Sequence, residues 1–401
     1  MKDLKHLIAF EDLLQEANNA LVRQAKEEGR LAIGYTCFHM PEVLLNLGSC
    51  FSVRMRAPRT GSLEIATYYM SNYTCEYGRA LLERAVEGGY NFLSAIAGVD
   101  ACAQMNRAME NIELPKLIPG EKFFISHADI PYKVTPWAIE HYVTQIRTKV
   151  LEPLHEKFGV DISEDAMRKA VAEHNEVCRI LTEIGEYRKE ENPRITGYEY
   201  HILNLVSYTC PKYLILDQLR ETLEELKTRE PNEKKQFRAK VVMIGSEIDD
   251  PDFTRLVEES GALIVADRYC FGSFPGRQEL TLTEGEDVLT SICRQYLEAS
   301  QCARYMSHEK IQDRRDFARK LYHDFHADGI IYEQLKFCDY WGYERALVSH
   351  IMQEEYDLPV LSIDRPYMVG SSGQIRTRIQ AFVERLEIKQ IQKERGGTVR
   401  G

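Results

Sequence analysis

No Cys-x-x-Cys pair occurs among the ten cysteines of this chain, which excludes the compact zinc-ribbon spacing. There is no GxxxxGK[ST] segment either, so the chain does not bind and hydrolyse ATP in the P-loop manner. No set of three spaced glycines follows a first strand, which removes the dinucleotide fingerprint. Long apolar runs are missing too. The longest, such as 241–244 and 262–266, are strand-sized and too short to span a bilayer. No basic cluster interrupts a net charge of -11, and this disfavours a nucleic-acid surface. The first 30 residues read as an amphipathic helix rich in both charge signs, without a signal-peptide core. The expectation is a cytoplasmic chain, whose cysteines stay thiols and serve metal binding or burial rather than disulfides.

What is present describes an ordinary globular protein: 401 residues, 44% hydrophobic and 28% charged, enough for two domains. A strand over 31–35 leads to Cys37, and Pro41 with Glu42 opens a short helix. Residues 49–54 read as a turn into a second strand. Ser71 and Asn72 are cap candidates for a helix carrying Cys75 to Glu87, stopped by Gly88 and Gly89. Strands over 91–97 and 122–127 follow. From 137 to about 227 apolar spacings of three and four predict long helices, broken at Pro193 and Pro211. The charged, proline-containing stretch 228–235 is the best domain-boundary candidate. Strands at 240–245, 262–266, 329–335 and 360–363 then alternate with helices at 251–260, 286–299, 308–326, 344–355 and 374–393. Such alternation predicts parallel sheets covered on both faces. The predicted architecture is α/β: two Rossmann- or flavodoxin-like parallel-sheet domains with a helical insertion. Its segments are 1–135, 136–235 and 236–401.

Six cysteines fall at predicted strand ends, turns or helix starts: Cys37, Cys50, Cys75, Cys102, Cys270 and Cys338. Open α/β sheets collect ligands outside the carboxyl ends of their strands. Thiolates select zinc, copper(I) or iron–sulfur clusters, and scattered single cysteines suit a cluster best. For any one of them a buried apolar thiol is an equal alternative; their shared placement turns the set towards ligation. Cys178, Cys210, Cys293 and Cys302 read instead as core or incidental, with Cys302 on or at the end of the helix carrying Cys293. Weaker signals are His39, His127 and His201 as acid–base groups, and the turn 370–374 with Arg376 and Arg378 as a phosphate-holding helix start. A plain helix cap explains that turn equally well.

Several runs together carry a family likeness. Gly34-Tyr35-Thr36-Cys37 with Pro41-Glu42, the segments ending in Cys102 and Cys270, Lys336-Phe337-Cys338-Asp339, and the helix from Gly373 to Glu384 resemble the 2-hydroxyacyl-CoA dehydratase and benzoyl-CoA reductase superfamily, in order along the whole chain. The resemblance implies one 4Fe–4S cluster per subunit on three cysteines, here Cys75, Cys102 and Cys338. It also implies electrons delivered by a separate iron–sulfur activator that hydrolyses ATP. Residues 54–58 with 67–70 look like the branch called double-cubane cluster proteins, in which six cysteines of one subunit hold an 8Fe–9S pair of cubanes. Cys37, Cys50 and Cys270 would complete that set. The resemblance thus implies a low-potential iron–sulfur reductase of small molecules, a homodimer without nucleic-acid or membrane partner. The alternative is a 4Fe–4S subunit of a 2-hydroxyacyl-CoA dehydratase or benzoyl-CoA reductase.

Overall fold

Apolar runs flanked by helices on both sides become two all-parallel sheets. In the computed structural model, which describes residues 1–231, 235–368 and 372–394, the first sheet holds β1 (Leu31–Tyr35), β2 (Cys50–Arg54), β3 (Ala95–Asp100) and β4 (Ile125–Asp129) in the order β2-β1-β3-β4. The second holds β5 (Ala239–Gly245), β6 (Ala262–Arg268), β7 (Gly329–Leu335) and β8 (Val360–Arg365) in the order β6-β5-β7-β8. The two orders are the same, and every pairing is parallel. The α/β expectation is therefore met. β2, β5 and β6 are buried along their whole length, as strands covered on both faces must be.

One local departure from the sequence reading has a simple cause. The N-terminal segment is two helices, Leu7–Leu13 and Ala20–Glu27, because the Asn19 side chain accepts from the N–H groups of Leu21 and Val22 and starts the second one afresh. The helices between the sheets, chiefly Pro136–Ile146, Glu164–Glu186, Gly197–Thr209 and Lys212–Thr228, share one continuous apolar core with the first sheet. The second sheet has its own core on each face. Residues 232–234 of the boundary stretch and 370–371 of the glycine–serine turn lie outside the described residues. Arg376 is engaged by Glu259 at 2.8 Å, and Arg378 donates to the Ser362 carbonyl at 2.6 Å.

Among the strand glycines, an added Cβ would meet backbone most closely at Gly98 in β3, 2.4 Å from the Ser126 carbonyl oxygen of β4. Backbone cannot yield as a side chain can. Gly98→Ala is expected to lose about 1–3 kcal/mol of stability, read as a lower urea midpoint with an unchanged slope.

The carboxyl edges of the two sheets are tied across a seam. Gln104 donates to Asp339 at 3.1 Å, the Tyr132 and Tyr340 hydroxyls meet at 3.2 Å, and Arg304 donates to the Ile130 carbonyl at 3.0 Å. Tyr305 donates to the Pro131 carbonyl at 3.1 Å, and Arg54, at the end of β2, donates to the Cys270 carbonyl.

Candidate functional site

The loops on that seam bring together six thiols. Cys37 stands two residues beyond β1 and Cys270 two beyond β6. Cys75, Cys102 and Cys338 each occupy the N-cap of a helix: Glu76–Val86, Ala103–Glu113 and Asp339–Glu354. Cys75, not Ser71 or Asn72, is thus the cap of its helix. Cys302 lies in the loop between Val288–Glu298 and His308–Asp324. The Cys302 thiol is within electrostatic reach of Cys37, Cys102, Cys270 and Cys338, while Cys75 is within reach of Cys102 and Cys338. All ten cysteines are free thiols.

Cys50 is not in this group. It opens β2 opposite Leu31, the first residue of β1, and so lies at the amino edge of the sheet. About 13 Å of strand separates that edge from the carboxyl end where Cys37 emerges. Its surroundings are Arg30, Asp161, Lys169 and Glu173, lining a cavity of about 310 Å³ that contains none of the other cysteines. The expectation that Cys50 joins the set is corrected, and Cys302 stands where a sixth thiol was sought. Cys178, Cys210 and Cys293 are buried, as expected of core thiols.

Buried cations and carboxylates hold the thiol-bearing loops. Arg314 grips both oxygens of Glu344 at 3.0 and 2.9 Å and donates to the carbonyls of Tyr305 at 2.7 Å and Cys302 at 3.4 Å, which fixes the Cys302 loop. The Cys270 N–H donates to the Ser246 carbonyl at 3.0 Å, anchoring its loop to the end of β5. Arg54 lies over the Phe271 ring at 3.9 Å and pairs with Glu247 at 3.6 Å.

Burial dominates the ionisation of the site. It pushes the Cys37 and Cys75 thiols up to about 12, with the neighbouring Cys302 and Cys102 adding to the respective shifts. Cys102, Cys270, Cys302 and Cys338 are raised for the same first reason. Opposing this, Cys75 faces the N–H groups of Gly78 and Tyr77, and Cys102 those of Met105 and Gln104, without a full cap bond closing. Helix N-termini favour the thiolate. Desolvation also lifts the Glu247 carboxyl to about 7 against the pull of Arg54, and its charge is felt by Cys37, Cys75, Cys102 and Cys270.

Of the histidines singled out, His39 sits against Cys37. His127 pairs with Glu113 at 2.9 Å and lies 3.8 Å from Asp100, and His201 is a buried structural group between Thr254 and the Ile248 carbonyl. Among the described residues no three His, Cys, Asp or Glu side chains converge as they would on one metal ion. By chemistry the donor set is of the kind that suits an iron–sulfur cluster: six soft sulfur donors, desolvated and free of disulfides.

A family model described as "2-hydroxyglutaryl-CoA dehydratase, D-component" matches residues 37–386. The chain belongs to this family. Among its relatives in the dehydratase family are the (R)-phenyllactyl-CoA dehydratase beta subunit of Clostridium sporogenes, 24% identical over 94% of this chain and 97% of that protein, and the lactoyl-CoA dehydratase beta subunit of Anaerotignum propionicum, 22% identical over 95% and 98%. A benzoyl-CoA reductase subunit of Thauera aromatica is 21% identical over 94% and 97%. The superfamily resemblance carried by the cysteine motifs is thereby borne out, and with it an enzymatic dehydratase or reductase role. Among the described residues, no helix of this family member is long and apolar enough to cross a membrane.

Sequence reasoning missed Cys302, Glu247 and the buried role of Glu42. The non-helical run after Ala299 offered no glycine or proline to mark the helix end, so Cys302 looked helical.

Proposed function

We propose that this chain is the cluster-bearing component of an ATP-energised, low-potential iron–sulfur reductase acting on small molecules. Cys37, Cys75, Cys102, Cys270, Cys302 and Cys338 would hold the cluster, a double-cubane 8Fe–9S group. The observation that carries this is the six-thiol network at the facing carboxyl edges. When bound, such a cluster supplies single electrons at a potential set by its charge, its hydrogen bonds and its exposure to water. The chain's own part is to desolvate the sulfurs, to offer helix N-termini to three of them, and to keep Glu247 beside them with a carboxyl that holds its proton up to about 7. A buried thiol raised this far ionises only when a cation takes the proton's place, so loading releases protons and weakens as pH falls.

The lack of a P-loop leaves ATP hydrolysis to a separate iron–sulfur activator, and a homodimer is the assembly proposed. The test is anaerobic purification followed by iron and sulfide analysis. About eight irons per chain supports the double cubane, about four the single 4Fe–4S cluster, and none ends the proposal. A second reading is favoured by the names of the relatives, which are subunits of acyl-CoA enzymes. On that reading the chain is a 4Fe–4S subunit of a 2-hydroxyacyl-CoA dehydratase or benzoyl-CoA reductase. Saturable binding of acyl-CoA thioesters to the purified chain distinguishes it.

A further inference from the structure

One hydrogen-bond chain links two of the thiol loops from opposite sides of the seam. The Ser300 hydroxyl oxygen accepts from the Cys302 N–H at 3.3 Å and lies 2.9 Å from Nε2 of His39. Nδ1 of the same ring lies 3.3 Å from the Cys37 sulfur. His39 is 1% exposed, its ring is flanked by Phe38 and Tyr305, and its carbonyl receives the Tyr142 hydroxyl, so the imidazole is held in place.

The proton positions follow from counting. A metal-bound thiolate has no proton to give, so a lone pair on Nδ1 would face it unfavourably and Nδ1 must carry the hydrogen. A neutral ring then leaves Nε2 as a bare acceptor. The Ser300 O–H fills it, while the Ser300 lone pair takes the Cys302 N–H. One assignment satisfies every group.

Resting on the cluster reading above, we propose that His39 is a positioning residue that donates an Nδ1–H hydrogen bond to the Cys37 thiolate, in a tautomer fixed by Ser300, and so raises the potential of the cluster. A donor on a ligand sulfur spreads the negative charge that grows on reduction, which favours the reduced state. The bond also ties the Cys37 loop of the first sheet to the Cys302 loop of the second.

Redox titration of the anaerobic full-length protein, followed by EPR with iron counted on each sample, tests this. His39→Leu removes the donor. It is expected to lower the midpoint potential by about 59 mV, an approximately tenfold change in the reduced-to-oxidised ratio for one electron. His39→Asn places an amide N–H where Nδ1 stood and is expected to stay near the parent value. Ser300→Ala is expected to shift the potential the same way as leucine, by less. Equal potentials for parent and His39→Leu at equal iron would overturn the inference, as would an asparagine variant shifted as far as leucine. Should His39→Leu lose its iron, Ser300→Ala decides: a downward shift supports the bond and no shift overturns it. A parent protein without iron defeats the cluster reading itself, a result separate from any difference among variants.

Discussion

Cys302→Ser is expected to strip bound iron from protein prepared without oxygen, whereas Cys50→Ser keeps the parent content. The two residues exchange the roles that sequence position alone assigns them. Cys302 is within reach of four other thiols, and Cys50 interacts with Arg30 and with no other cysteine. Removing even a group that merely supports a metal ligand costs roughly 10–100-fold in affinity. Loss of a ligand thiolate should exceed that, and half or more of the iron is expected to go. Iron and sulfide per chain, measured side by side on the two variants, checks it. Equal retention by both would remove Cys302 from the set.

Glu42→Ala is expected to destabilise the chain by about 3–5 kcal/mol. Glu42 is buried, accepts from Arg277 at 2.8 Å, and also receives Lys212 and the Ser52 hydroxyl. The Lys212 and Arg277 side chains are each only 1% exposed, so truncation leaves two buried cations without their counter-ion. Burial by itself would raise the Glu42 carboxyl, but Arg277 and Lys212 together hold it well below its ordinary 4.5. A carboxyl lowered on folding contributes stability that is fully present above 4.5 and fades as pH falls towards the folded value. The gap in urea midpoint between parent and variant should therefore be widest at pH 7, somewhat narrower at pH 4, and narrower still as pH falls further. A variant as stable as the parent at pH 7 would contradict the role.

The alternation of apolar runs and helices after residue 236 was legible, because each strand is a continuous hydrophobic segment with a turn at both ends. Cys37, Cys102, Cys270 and Cys338 were legible for the same reason: each closely follows such a segment. Cys50 looked alike only because a turn has the same composition at either edge of a sheet. The distinguishing signal was that its apolar run, 51–53, comes after it. The Glu42, Glu247 and Glu344 partnerships could not be read at all. Their cations, Arg277 and Lys212, Arg54, and Arg314, lie far away along the chain, and burial is what turns an ordinary acid into a counter-ion.

Three thiols of the network come from loops of the β1–β4 sheet, namely Cys37, Cys75 and Cys102. The other three, Cys270, Cys302 and Cys338, come from loops of the β5–β8 sheet. Neither half owns a complete grip. A group gripped by all six sulfurs would act as a rivet between two plates that hydrogen bonds and buried ion pairs already join, so that filling the site would tighten a clamp the fold has begun.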